Sequence, residues 1–259
     1  MKRRAAPAPA LPRSKRRAVP VLILALVLLA PAAWAVFPNA QKIADALASS
    51  NRAAGRGDPL IFDVTLRIGD SGPLATGVLA THPTGLARLE LLSEQGFVER
   101  HLLQGSEYSA SRDGKLLRSP RPFLPPIFLM QSTSGAALRA ALASFGVSGG
   151  EVVLGLAEDR DCYVLGGRLP PGADGEERRL PSMWIDVDSF ELVRVDRQDG
   201  VRFRFGPSAN FEGIRAPSWI TVESPDEDPV RLDVDRVARA NAPAAAFGRD
   251  WLLATQTPD

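Results

Sequence analysis

The chain has 259 residues, with 31 Lys and Arg against 30 Asp and Glu, two His and one Cys. A near-neutral balance without a concentrated basic surface in the body of the chain lacks the electrostatic footprint of a nucleic-acid binder. A single cysteine excludes an intramolecular disulfide, and two histidines with one distant Cys make a poor zinc site.

The first element is residues 1–35. Lys2, Arg3, Arg4, Arg13, Lys15, Arg16 and Arg17 make a basic start without an acid. An apolar run follows from Val19, and Ala33-Trp34-Ala35 supplies the small-x-small end of a secretory signal. The pattern predicts cleavage before Val36, which leaves 224 of the 259 residues as a single domain over 36–259. Seven of the 31 basic residues leave with that signal, so the remaining 24 face 30 acids, a net charge of −6. The competing reading is an uncleaved anchor. The uncharged run 18–38 is about as long as the ~20 residues that span a bilayer, but Pro20 and Pro31 favour cleavage.

A helix is predicted over 40–54, N-capped by Asn39 and carrying Ile43 and Leu47 on one face. From Leu60 the period changes to two: Leu60, Phe62, Val64 and Leu66 alternate with Ile61, Asp63, Thr65 and Arg67. That is a strand with one dry face. Strand-like runs follow at 74–81, 86–92, 97–104 and 108–111, separated by turn residues such as His82-Pro83-Thr84-Gly85 and Arg112-Asp113-Gly114. The segment 120–130 holds four prolines among large apolar residues, which excludes a central strand or an ordinary helix. A short helix is predicted over 134–145. Strands resume at 151–157, 162–168, 183–187, 190–196, 201–205, 219–223 and 230–237, with a polar loop over 170–181. Few of these strands are separated by a helix long enough for a parallel crossover, so the sheet is expected to be antiparallel.

The chemistry of catalysis is thin. There is no phosphate loop, no G-x-S-x-G elbow and no H-E-x-x-H. Cys162 reads as a small buried strand residue, because no base is tied to it. Asp159, Asp161, Asp186 and Asp188 sit at strand ends and turns, where carboxylates are solvated. The residues argue for binding rather than turnover, and the chain is expected not to be an enzyme and to need no cofactor or metal.

Several short motifs resemble one family. They are Phe62-Asp-Val-Thr-Leu-Arg, Gly77-Val-Leu-Ala-Thr-His-Pro-Thr-Gly, Ser111-Arg-Asp-Gly-Lys, Met183-Trp-Ile-Asp-Val-Asp, Leu192-Val-Arg-Val and Pro217-Ser-Trp-Ile, followed by Leu232-Asp-Val and the segment 241–247. In this order, behind a leader and a helix, they resemble the periplasmic lipoprotein carriers of the Lol system and the wider outer-membrane lipoprotein-sorting superfamily. The resemblance implies a mainly β fold with some α: a single curved antiparallel sheet, an incomplete β-barrel, with helices covering its concave face and 241–247 among the closing strands. It implies acyl chains of lipoproteins or other lipids as ligands, membrane-protein donors or acceptors as partners, no cofactor and no nucleic acid, and a monomer working in the periplasm. The chain departs from the family at His82, where the classical carriers have an Arg tied to closing the lid. Arg67 and Arg88 are nearby basic residues.

On this reading the apolar groove is lined by Leu60, Phe62, Val64, Leu66, Val201, Phe203, Phe205, Leu232 and Val234. The proline-interrupted run contributes a gate of Phe123, Leu124, Ile127, Phe128, Leu129 and Met130, which cannot pair as a strand yet must avoid water. The expected function is a periplasmic carrier of acyl chains. The alternative is an envelope sensor or regulatory module of the same fold, anchored by an uncleaved N-terminal segment.

Overall fold

The structure, a computed structural model, describes residues 38–147, 152–166 and 181–255. The leader, Gly149-Gly150 and nearly all of the polar loop at 170–181 lie outside the described residues. Among the described residues no helix is long and apolar enough to cross a membrane.

Helix α1 (Ala40–Ala53) opens the domain, with the Asn39 side chain accepting the Lys42 N–H at 2.9 Å. Six strands then form an antiparallel meander: β1 (Leu60–Ile68), β2 (Ala75–Thr81), β3 (Leu86–Ser93), β4 (Val98–Gln104), β5 (Glu107–Arg112) and the two-residue β6 (Lys115–Leu116). Helices α2 (Ile127–Gln131) and α3 (Gly135–Ser144) follow. The chain returns through β7 (Val152–Ala157), β8 (Arg160–Leu165), β9 (Ser182–Asp186), β10 (Leu192–Asp196) and β11 (Arg202–Phe205). A separate hairpin, β12 (Ser208–Phe211) with β13 (Ile214–Pro217), precedes β14 (Trp219–Glu223) and β15 (Val230–Arg239).

Thirteen of these strands make one sheet, in the order β6-β5-β4-β3-β2-β1-β15-β14-β11-β10-β9-β8-β7. The first and last strands join its halves: β15 pairs antiparallel with β1, setting Leu66 opposite Leu232 and Phe62 opposite Val237. The register slips between Asp63 and Val64 and again within β10, and such bulges bend a sheet. The sheet remains open, with β6 and β7 at its edges. Period-two alternation explains its two faces. Leu60, Phe62, Val64 and Leu66 are buried on one side, while Ile61, Asp63, Thr65 and Arg67 are half-exposed on the other.

All three principal helices pack on that inner face. Ile43 and Leu47 of α1, Ile127 and Leu129 of α2 and Leu138 and Leu142 of α3 share one core with the inner residues of both sheet halves. Gly135 permits the closest approach between α1 and α3. A Cβ there would fall 1.8 Å from Asp45 Oδ1.

Two expectations need correction, and one element was not foreseen. The segment 241–247 adds no strand. With Pro243 and a run of alanines it lacks alternation, and it forms a 3-10 turn at Ala244–Ala246 followed by α4 (Arg249–Leu253). Both lie on the outer face, where Phe247 and Leu252 pack with Ala80 and Leu102. The proline run does admit a helix, because Pro125 and Pro126 precede its first turn, where a missing N–H costs nothing. The β12–β13 hairpin is an element that the strand pattern did not predict.

Candidate functional site: the covered inner face

The nine residues expected to line a groove are all buried in one core, and the helices and the proline run lie over them. Of these nine, Leu66 borders one open cavity, of about 590 Å³, and Phe203 another, of about 680 Å³. Leu60, Phe62, Val64, Val201, Phe205, Leu232 and Val234 border neither. Of the gate residues, Phe123 faces the first cavity and Leu124 the second. Ile127, Leu129 and Met130 are buried in the core, and Phe128 is half-buried with its Cβ against Gly85. Gly85 has φ +93°, so the turn carrying His82 meets the gate helix at a residue whose backbone favours glycine.

The two cavities share one wall. From Ser119 onward the chain alternates in its facing: Ser119, Arg121 and Phe123 line the smaller cavity, and Pro120, Pro122, Leu124 and Pro126 line the larger. An extended segment with period two produces this alternation, and the prolines keep it from joining the sheet. The segment 117–126 is therefore a strap laid across the inner face.

A few polar contacts hold the strap. The Tyr108 hydroxyl accepts the Phe123 N–H at 2.9 Å and donates to the Arg121 carbonyl at 2.7 Å. Having spent its single proton, that oxygen stands 2.6 Å from His101 Nδ1, which must then donate to it. The His101 ring is fully buried, with the Phe123 ring tilted against it at 4.5 Å between centroids. Glu99 completes the group: its Oε1 is 2.9 Å from His101 Nε2 and its Oε2 accepts from Arg112 at 2.8 Å. Burial pushes the Glu99 carboxyl up, but His101 and Arg112 together outweigh it and hold the carboxyl below the usual carboxylate range. Burial also pushes the Tyr108 phenol well above its ordinary value, so the hydroxyl keeps its proton.

A second set of contacts ties α2 to α1. Asn51 Nδ2 donates to the carbonyls of Leu129 at 3.1 Å and Ser132 at 2.9 Å, and Asn51 Oδ1 accepts from Arg56 Nη2 at 2.9 Å. Gln131 Nε2 donates to the Asp58 carbonyl at 3.1 Å, and Arg52 donates to the Thr133 carbonyl. Burial lowers the Arg56 guanidinium to about 10, against the opposing pull of Glu191. Tyr108, His101, Glu99 and Asn51 are functional candidates that sequence reasoning passed over. A signal existed for two of them. Glu99 and His101 occupy positions of β4 that the alternation assigns to the dry face, opposite Leu91 and Leu89.

The basic residues considered for lid closure face elsewhere. His82 Nδ1 is 2.6 Å from Thr84 Oγ1 in its own turn, with its ring edge-on to Phe247. Arg67 pairs with Asp233 at 2.8 Å, and Arg88 lies over the rings of Phe247 and Trp251 on the outer face. Cys162 is buried on the outer face beside Val193, with burial pushing its thiol up to about 11. It sits on the opposite face from His101. Asp186 Oδ1 accepts the N–H groups of Asp188 and Ser189 and so caps its own turn. Among the described residues, no group of three His, Cys, Asp or Glu is placed to hold a metal.

No protein-family model matches the chain, and no curated protein matches it. Among solved structures the chain is similar to a LolA superfamily protein from Nitrosomonas europaea, at 13% identity over 83% of this chain and 100% of that one, with a TM-score of 0.53. At that identity the likeness is one of fold: the chain shares the fold of that protein. Similarity extends to a DUF1329 family protein from Desulfovibrio piger (13% identity, 83% and 100% covered, TM-score 0.49). It also extends to a domain named for outer-membrane lipoprotein sorting from Vibrio parahaemolyticus (12% identity, 83% and 100% covered, TM-score 0.44). The sheet of this chain is open along β6 and β7, and its inner face carries the helices and the strap.

Proposed function

We propose that this chain is an exported, periplasmic carrier of acyl chains, and not a catalyst. Lipoproteins or other lipids would be its cargo, passed between membrane-protein donors and acceptors. The observation that carries the reading is the strap. It is an unpaired, proline-bearing segment that stands between two cavities on the dry face of an open sheet. Moving it aside would merge the two spaces into one groove floored by Leu66, Phe203 and their neighbours.

Magnitudes support that movement. Each methylene buried contributes about 0.8 kcal/mol, so a chain of about a dozen carbons brings on the order of 10 kcal/mol before ordering costs. Each hydrogen bond holding the strap contributes a net of about 0.5–1.5 kcal/mol. Among the described residues a handful of such bonds and the Arg121–Glu227 ion pair tie it down. Displacing the strap also gives up the burial of Phe123 and Leu124, roughly 1.5–3 kcal/mol each, which an acyl chain of that length offsets and a small polar ligand does not.

Native mass spectrometry of the protein purified from the cell envelope tests the reading. The expected spectrum shows a lipid-mass adduct, or one appears on adding an acylated peptide. A bare mass in both conditions contradicts it.

A further inference from the structure

The two cavities beside the strap differ in charge. The larger one presents Arg197 and Asp199, which pair with each other at 2.7 Å. The smaller one has an apolar floor that includes Leu66, Leu91 and Phe123, and a rim of three arginines, Arg112, Arg118 and Arg121. Arg112 is engaged by Glu99. Arg121 Nε is 2.8 Å from Glu227, but its Nη2 is buried without a hydrogen-bond partner. Arg118 is exposed and makes no ion pair or hydrogen bond among the described residues. The carboxylates lining this cavity are Glu99, already shared between His101 and Arg112, and Glu94 on the β3–β4 turn. The strap thus sets two guanidinium groups with unmet donors against an apolar space of about 590 Å³.

An apolar pocket takes a hydrocarbon chain, and guanidinium groups at its mouth take the oxygens of a phosphate or carboxylate. We propose that the smaller cavity, while the strap is still in place, binds an amphiphile with one acyl chain and an anionic phosphate head, the chain over Leu66 and Phe123 and the head between Arg118 and Arg121, as the state that precedes displacement of the strap. This rests on the acyl-carrier reading and adds a preference for charge. An anion at the rim also answers the unpaired Arg121 nitrogen, since a buried donor without a partner calls for one.

The test uses the full chain and three probes: palmitoyl lysophosphatidic acid, monopalmitoyl glycerol with the same chain and no charge, and inorganic phosphate. Lysophosphatidic acid is expected to bind about tenfold or more tightly than monopalmitoyl glycerol, as charge-assisted hydrogen bonds require. Arg118→Glu should remove most of that preference, because Arg118 is exposed and makes no ion pair or hydrogen bond among the described residues. A photoreactive lysophosphatidic acid should label the strap around Arg121 and Phe123. Equal binding of both amphiphiles overturns the proposal and leaves the acyl-carrier reading standing. Binding of neither overturns both. Displacement of the lipid by phosphate alone at equal concentration shows a free-anion site and overturns it, as does labelling confined to Phe145 and Phe203.

Discussion

Tyr108 is the residue on which the strap depends most directly. Its hydroxyl satisfies two backbone groups of the strap, the Phe123 N–H and the Arg121 carbonyl. Tyr108→Phe keeps the ring and removes both of these bonds together with the one from His101 Nδ1. It should cost about 1–3 kcal/mol, because buried partners are left unpaired. A urea midpoint measures this, and an unchanged midpoint argues that the strap is held by packing alone. The acid side of the pH profile follows from Glu99 and Asp196. Burial pushes the Asp196 carboxyl up, but Arg194 and Arg202 bring it below its ordinary value, as His101 and Arg112 do for Glu99. A carboxylate whose folded pKa is depressed contributes stability above its unfolded pKa, and that stability is lost as pH falls through the folded one. Stability is therefore expected to be flat above about pH 5 and to fall as the pH drops below about 4. Thermal unfolding across that range checks the sign, and a protein more stable at pH 3 than at pH 6 contradicts it. These polar contacts were largely illegible in sequence, because His101 and Tyr108 meet through pairing of β4 with β5 and neither makes a motif.

At the level of elements, alternation located most of the sheet. The runs at 219–223 and 201–205 match β14 and β11 to within a residue, since apolar alternation with charges on the other face has a single reading. The helix at 134–145 was legible for a similar reason, with Ser134 accepting the Ala137 N–H as its N-cap. The C-terminal segment was misread because Phe247 and Leu252 bury themselves against the outer face by packing, without periodicity. The gate reading and the permanent-plug reading diverge at Phe128. This side chain is half-buried on Gly85, whereas its neighbour Leu129 is fully buried in the core. Phe128→Ser is expected to weaken binding of an acyl probe several-fold while leaving the thermal transition in place, given the roughly 1.5–3 kcal/mol that a buried apolar side chain contributes. Loss of the transition would mean that α2 is part of the permanent core. Gly135→Ala serves as the counterpart. The close contact with Asp45 should force α3 away from α1 and lower the melting temperature by several degrees.

For the whole molecule, the architecture could be argued before any coordinates, because long strands with one dry face and few intervening helices leave little choice but an open or closed antiparallel sheet. What the dry face faces could not be argued. The same apolar residues serve a groove or a filled core, and Leu60, Phe62 and Leu232 are in fact covered by the chain's own helices and strap. The reading as an exported carrier brings its own expectation at the N-terminus. Protein recovered from the envelope should begin at Val36, and a chain that starts at Met1 and fractionates with membrane would favour the anchored sensor. If an acyl chain takes the strap's place on the inner face, hydrogen exchange with and without a saturating acyl ligand should show it. Faster exchange is expected at the Leu117 and Phe123 amides, which are bonded to the Ala110 carbonyl and Tyr108 hydroxyl. No change is expected along the β1–β15 pairing. Unchanged or slower exchange at those two amides with ligand bound would contradict displacement of the strap.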